Sequence, residues 1–304
     1  MNTTKLWTPL SLLLLLGFIW GTGYSIARFA MTHDVPPLGY SFWQSLGPAL
    51  LIGFFAWKKK SPSILTLEKK PFHYFFVCGL TGIAIPNTAM YFAAPHLPAG
   101  LLAVIVNTVP VMAYPLALFL RAESFHWMRI TGILFAILGL LLITIPQTSL
   151  PSAASIPWVF VSLITPFCFA FCSVYIARYR PANSDSLSLA AGTLIASSAI
   201  LIPIVIATKN FYSFHFPLTT QDNVILLEII LSSVGYLLFF QLLKIAGPVY
   251  YSLVDGIVAL TGLFWGYIVF HEKLNEWTAL AVLCILFALF LVTKRQQAMI
   301  ESHA

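Results

Sequence analysis

Apolar residues run along this chain in long blocks, broken by short clusters of proline, glycine, lysine or arginine. Neither the two-residue alternation of a half-buried strand nor the narrow stripe of a soluble amphipathic helix organises them. A helix needs about 20 mostly apolar residues to cross the hydrocarbon of a bilayer. Ten such blocks fit, near residues 7–31, 36–57, 71–93, 97–120, 126–145, 156–178, 185–207, 223–244, 249–271 and 276–293. Turn chemistry marks the breaks: Pro36-Pro37, Lys58 to Pro62, Pro95 to Pro98, Leu150-Pro151-Ser152, Arg180-Pro181-Ala182-Asn183 and Gly247-Pro248. The connections after the third and eighth blocks are the tightest. The first block starts with Lys5 and Leu12 to Leu16 and continues through Trp20 to Ile26. That is longer than the apolar region of a cleaved signal, so an uncleaved first helix is expected. The pattern predicts an all-α integral membrane protein of ten transmembrane helices.

The blocks repeat. Ser25-Ile26-Ala27-Arg28 ends the first and is echoed by Tyr175-Ile176-Ala177-Arg178 at the end of the sixth. Arg121-Ala122-Glu123 precedes Trp127 and a new run, as His271-Glu272-Lys273 precedes Trp277 and another. The repeat divides the chain into residues 1–148 and 149–304, each with five spans. Five is odd, so the second unit enters the membrane in the opposite sense. Two inverted five-helix repeats are a recurrent transporter plan, with the solute held between them.

Composition and charge agree. Charged residues make up 9% of the chain and hydrophobic ones 59%, against roughly 25% charged in soluble domains. With a cytoplasmic N-terminus, the inner segments hold Lys5, Lys58, Lys59, Lys60, Lys69, Lys70, Arg121, Arg129, Arg178, Arg180, Lys244, Lys294 and Arg295, leaving only Arg28, Lys209 and Lys273 outside among the 16 Lys and Arg. That bias supports the span count and places both termini in the cytoplasm of an inner- or plasma-membrane protein. Basic residues at span ends are no nucleic-acid footprint. Cys78, Cys168, Cys172 and Cys284 all lie in apolar spans and read as small buried hydrophobes. The seven His sit near span ends without metal-ligand spacing, and no Walker loop is present. No cofactor, metal or ATP is expected.

The ends of the fourth and ninth spans carry a further signature. Asn107-Thr108-Val109-Pro110 leads through an apolar run to Glu123, followed by Gly132 and Gly139. The second half keeps Glu272 but has Ala259 in place of the proline, and Ala281 and Ala288 near the glycine positions. On this signature, the ten spans and the repeat, the chain resembles the EamA family of the drug/metabolite transporter superfamily over nearly its whole length. Members carry amino acids, other small metabolites or drugs, many as exporters; relatives carry nucleotide sugars and sugar phosphates. The resemblance implies that spans one to four and six to nine surround a central cavity, with five and ten peripheral.

Asp255 is the sharpest single residue, a carboxylate about one and a half turns inside the ninth span. Such a group costs about 2.5–3.5 kcal/mol on insertion scales and faces a cavity or a partner. It is the candidate for binding the solute's amine or carrying a coupling proton; the alternative is a local bond to Ser252, Tyr250 or Lys244. Asn107 holds nearly the equivalent place in the fourth span. Its amide suits a zwitterionic or hydroxylated solute, and the alternative is a helix–helix hydrogen bond worth about 0.6 kcal/mol. Asn87, Gln44 and Gln241 pose the same choice more weakly. Trp20, Tyr24, Tyr91, Tyr236 and Trp265 lie away from charged flanks on cavity-lining spans and are candidates to contact solute, with plain packing as the alternative. Gly17 with Gly21, and Gly262 with Gly266, allow close helix approach. Arg28 and Arg178 read as headgroup anchors, with gating by Arg28 and Glu228 or Glu276 as a second idea. Glu123 and Glu272 read as organisers of helix ends.

The expected function is secondary active transport of a small polar or amphipathic metabolite by alternating access, with amino acids or derivatives favoured and export the expected direction. Proton coupling would run through Asp255. Alternatives are a larger solute such as a nucleotide derivative or a cationic drug, a polytopic membrane enzyme, or a channel. Expected partners are a small-molecule substrate and the lipid bilayer; nothing in the sequence signals an oligomeric state.

Overall fold

The computed structural model describes residues 3–58, 70–119, 125–144, 150, 152–181, 186–251, 253–273 and 275–301. They form helices α1 (Thr3–Thr32), α2 (Pro37–Lys58), α3 (Lys70–Gly79), α4 (Ile85–Ala93), α5 (Ala99–Val106), α6 (Val109–Phe119), α7 (Trp127–Thr144), α8 (Ile156–Tyr179), α9 (Ser186–Ala207), α10 (Thr220–Tyr251), α11 (Val254–Phe270) and α12 (Glu276–Glu301). No strand occurs among the described residues. Among the described residues, six stretches are long and apolar enough to cross a membrane: Pro9–Thr32, Phe72–Ala93, Ala99–Phe119, Ala153–Ile176, Leu187–Ala207 and Thr220–Phe239. Trp127–Leu142, Val254–Phe270 and Glu276–Leu291 are apolar but shorter. Much of the outer surface is apolar: Phe18, Leu50, Phe160, Phe167, Leu283 and Phe290 are among its many exposed large side chains. Patches of that extent mark a surface meant for lipid rather than water.

Two expected spans are interrupted, and proline explains the clearer case. Pro110 has no N–H for the Val106 carbonyl, and its ring would crowd that carbonyl in a continuous helix. The helix therefore ends at Val106 and restarts at Val109, with Asn107 at φ −82° and ψ 13° between them. Ahead of Pro86, a π-helical turn over Leu80–Ala84 joins α3 to α4. α10 holds a different feature. The rings of Phe239 and Tyr251 lie 4.7 Å apart, whereas the twelve intervening steps of a straight helix would rise about 18 Å. The chain therefore doubles back between Phe239 and Tyr251.

Packing exchanges the halves. α1 lies against α10 and α11, and its counterpart α8 lies against α4, α5 and α6. α2 with α9, α5 with α11 and α7 with α12 pair across the middle, as an approximate twofold requires. The glycine pairs make the closest approaches. Gly17 faces Ile257 and Gly21 faces Thr261, seating α1 on α11; Gly262 faces Ala103 and Gly266 faces Gly100, seating α11 on α5. A Cβ on Gly262 would run into that of Ala103. Gly262→Val is expected to destabilise by about 1–3 kcal/mol through overpacking, read as a lower melting temperature; unchanged melting would refute the tight contact.

Contacts between the described element ends fall into two groups. In one, Arg28 meets Glu272 and the start of α5, His96 stacks on Trp158 at 4.0 Å, and Trp43 Nε1 donates to the Tyr212 carbonyl at 2.8 Å. In the other, His73 at the start of α3 meets Tyr175 near the end of α8 at 2.9 Å.

Candidate functional site

The helix break at Asn107 frees an amide in the middle of the bundle. Asn107 is 6% exposed; its Nδ2 donates to Tyr24 Oη at 3.1 Å and to the Ala103 carbonyl at 2.7 Å. Tyr24 on α1 is thereby held at the break. Asp255, in the first turn of α11, lies within electrostatic reach of both Tyr24 and Tyr251. Asn107 thus holds Tyr24 by a hydrogen bond, and a carboxylate of the other half acts on the same tyrosine at longer range. Of the alternative partners for Asp255, Ser252 lies outside the described residues, as do the side chains of Tyr250 and Lys244.

Aromatic rings extend this centre. Trp20, one turn before Tyr24, has Tyr236, Phe239 and Tyr251 around it at ring distances of 6.3, 5.8 and 6.3 Å. Its indole fits over Gly235, where any Cβ would meet the ring. Tyr91 on α4 packs edge-on to Tyr40 of α2 at 4.7 Å and is within electrostatic reach of Tyr24 and Tyr236. The rings thus link α1, α2, α4 and α10.

A second carboxylate sits on the α2 side. Glu228 of α10 packs against Gly23, where a Cβ would come 3.1 Å from its Oε1. Ser232 Oγ lies 3.0 Å from Glu228 Oε1 and 3.0 Å from Gln44 Oε1. Glu228 acts electrostatically on Tyr40, Tyr91 and Tyr236. Its Oε2, Gln44 Nε2 and Tyr40 Oη are buried without a hydrogen-bond partner. Buried polar atoms are ordinarily satisfied, so three orphans in one place mark a position built for something else.

Toward the Arg28 end the bundle is tied together. α11 stops at His271, whose left-handed φ of 53° turns the chain back, and the His271 and Glu272 amides both return to the Gly266 carbonyl. The Glu272 carboxylate then accepts from Ala99 N at 2.6 Å and Gly100 N at 3.0 Å, capping α5. It also pairs with Arg28 Nη1, and the Arg28 guanidinium lies 4.5 Å from the Phe270 ring centroid. The idea that Arg28 pairs with Glu228 or Glu276 is thus corrected: the turn at His271 delivers Glu272 to it instead. Glu272 does organise a helix end, although the end belongs to α5. Nearby, Asp222 is fully buried and accepts from Tyr212 Oη at 2.7 Å, Thr219 Oγ1 at 2.6 Å and Thr219 N at 2.8 Å. Burial, with the bond to Asp222, pushes the Tyr212 phenol up to about 12.

The model of the EamA-like transporter family matches residues 7–145 and again residues 156–294. The chain belongs to the EamA-like transporter family. The two matched stretches are the two halves that exchange in the packing, and membership makes this a multi-pass membrane protein of the drug/metabolite transporter superfamily. Protein PecM of Dickeya dadantii (strain 3937) is 24% identical over 278 residues, covering 90% of this chain and 88% of PecM. A protein of Archaeoglobus fulgidus described as an uncharacterized transporter is 22% identical over 223 residues, covering 73% of this chain and 77% of its own. A solved crystal structure superposes with a TM-score of 0.63 at 15% identity, covering 96% of this chain and 98% of the other. At that identity the likeness establishes the fold alone.

Within this EamA-like fold, six of the eight candidates for solute contact come together: Asp255, Asn107, Trp20, Tyr24, Tyr91 and Tyr236. Trp265 has different neighbours: its ring packs at 5.6 Å from Phe18 and 5.5 Å from Phe264, while its Nε1 is buried without a hydrogen-bond partner. Asn87 is half-buried in the first turn of α4, and Gln241 is exposed. Glu123 lies outside the described residues. No group of three or more His, Cys, Asp or Glu suited to a metal occurs among the described residues. Reading for solute contacts missed Glu228, Gln44 being only a weak candidate. The available signal was a carboxylate five residues past the start of the eighth apolar block, 223–244.

Proposed function

We propose that this EamA-like protein is a secondary active transporter that moves a small polar or amphipathic metabolite by alternating access. Amino acids or their derivatives are the favoured solutes and export the favoured direction. One observation supports the reading: a broken helix presents a buried amide that holds Tyr24, with an intramembrane carboxylate of the other half within electrostatic reach of that tyrosine. Interrupted helices at the interface of two repeats are where transporters of this kind hold their solutes.

The ten spans are then α1, α2, α3 with α4, α5 with α6, α7, α8, α9, the first part of α10, the end of α10 with α11, and α12. Five per repeat inverts the second half, and the lysine and arginine bias puts both termini in the cytoplasm of the inner or plasma membrane. Asn107 and Asp255 bind the polar groups of the solute, and Trp20, Tyr24, Tyr91 and Tyr236 pack against its body. Asp255 also carries the coupling proton. Arg28 and Glu272 hold the outer end.

Counterflow of labelled amino acids in proteoliposomes tests the function. Saturable flux that unlabelled solute drives is expected, and flux rising linearly with concentration would point to a channel. Topology has its own test. In a cysteine-free background, cysteines replacing the exposed Lys58 and Lys209 should react with an impermeant maleimide from opposite sides of the membrane. Reaction from one side refutes the ten-span arrangement.

A further inference from the structure

Counting protons in the Gln44–Ser232–Glu228 group shows what it lacks. The Ser232 hydroxyl is 3.0 Å from a Gln44 side-chain oxygen and 3.0 Å from a Glu228 oxygen, yet a serine has one proton to give. With Glu228 ionised, the bonds balance when the Gln44 amide is turned so that its NH2 donates to Ser232 and Ser232 donates to Glu228. Three oxygens are then left over: the Gln44 carbonyl, Glu228 Oε2 and the Tyr40 hydroxyl. Gln44 is 4% exposed and Tyr40 is not exposed at all, and Glu228 Oε2 is likewise a buried atom. In the ionised state of Glu228, one of the three carries a formal negative charge. The ion pairs among the described residues are Arg28 with Glu272 and His215 with Asp222, and neither includes Glu228.

We propose that these three oxygens form a subsite for a primary ammonium group on the transported solute, a proposal that rests on the central cluster being the solute's path. An ammonium has three N–H donors and no acceptor, which matches three acceptor positions; its charge matches the carboxylate. The rings of Tyr40 and Tyr91, packed edge-on 4.7 Å apart, lie with Tyr236 within electrostatic reach of the carboxylate. A hydroxyl could fill only one of the three positions as donor and would leave the charge unpaired. A quaternary ammonium would bring charge without any N–H. The solute class is therefore a primary amine with an apolar or aromatic body.

The test uses the purified full-length protein in detergent. Methylamine, n-butylamine and phenethylamine are titrated against their matching alcohols, with melting temperature as the readout, since a ligand of the folded state stabilises by mass action. At least one amine is expected to stabilise at concentrations about tenfold or more below its alcohol, the ratio set by a charge-assisted bond. Glu228→Gln should weaken that amine by about tenfold or more. Tyr40→Phe removes one acceptor without touching the charge and should weaken it less, which keeps the test open if the glutamine variant does not fold. Glu276→Gln, exposed on α12, should respond as the parent does. Equal response to every amine and its alcohol overturns the subsite, as does an unaltered amine response in both Glu228→Gln and Tyr40→Phe. Counterflow separates this from the wider reading. Saturable flux of amine-free solutes, with no amine binding, sinks the subsite alone; amine binding without flux of any solute sinks the transport reading instead.

Discussion

Glu272→Ala should lower the melting temperature of the detergent-solubilised protein by about 5–10 °C, the shift corresponding to about 2–4 kcal/mol in a chain of this size. The carboxylate accepts from two amides at the start of α5 and pairs with Arg28 of α1. It therefore ties together α1, α5 and the turn after α11. Charge-assisted bonds contribute about 1.5–3 kcal/mol each when desolvated, and a lost cap costs about 0.5–2 kcal/mol. The two side chains are 20% and 15% exposed, so solvent screens the pair somewhat and the sum is discounted. The variants should separate in order. Arg28→Ala leaves the α5 cap in place and should lose less than half as much. Glu272→Gln keeps an acceptor for one amide but forfeits the charge, and should fall between. A melting temperature for Glu272→Ala equal to the parent's would mean that the Arg28 end is held by apolar packing alone.

How much of this was legible in the chain depends on what the bilayer penalises. A polar group inside a span is costly, so Asp255 and Asn107 stand out against their neighbours without any knowledge of the fold. The repeat is legible because Arg28 and Arg178, and Glu123 and Glu272, recur at similar offsets. Partners are another matter. Arg28 and Glu272 are 244 residues apart, and two acidic residues elsewhere looked as suitable, because only the left-handed turn at His271 decides which carboxylate reaches Arg28. Gln44 meets Ser232 across 188 residues for a comparable reason: the pairing follows from how α2 packs on α10. Trp20 and Trp265 show the remaining limit. Each lies mid-span, but one faces the centre and the other packs among exposed Phe18 and Phe264. Lipid is as apolar as the bundle interior, so no hydrophobic stripe tells the inner face of such a helix from its outer one.

Asp255→Asn is expected to reduce proteoliposome transport by about 10–100-fold and to abolish its dependence on a proton gradient, a factor in line with losing one charge-assisted bond. The substitution discriminates because of where the residue sits. Asp255 lies in the first turn of α11, where a carboxylate also favours the free amides of a helix start, by about 0.3–1 kcal/mol. Asparagine occupies nearly the same volume and serves well at helix starts, so the local structure should survive. Only the charge and the exchangeable proton disappear. The Asn107–Tyr24 hydrogen bond does not involve this carboxylate, so removing the charge alters the polar centre without emptying it. A structural carboxylate would therefore give a variant that inserts, melts and transports like the parent. A working one would give a variant that inserts and melts normally but moves its solute slowly and without regard to the proton gradient. Asp255→Ala adds the complementary control: it removes the helix-start contribution as well, and should lose stability that Asp255→Asn retains. If Asp255→Asn transports at the parental rate with unchanged pH dependence, Asp255 belongs to the helix end, and proton coupling through this residue is refuted.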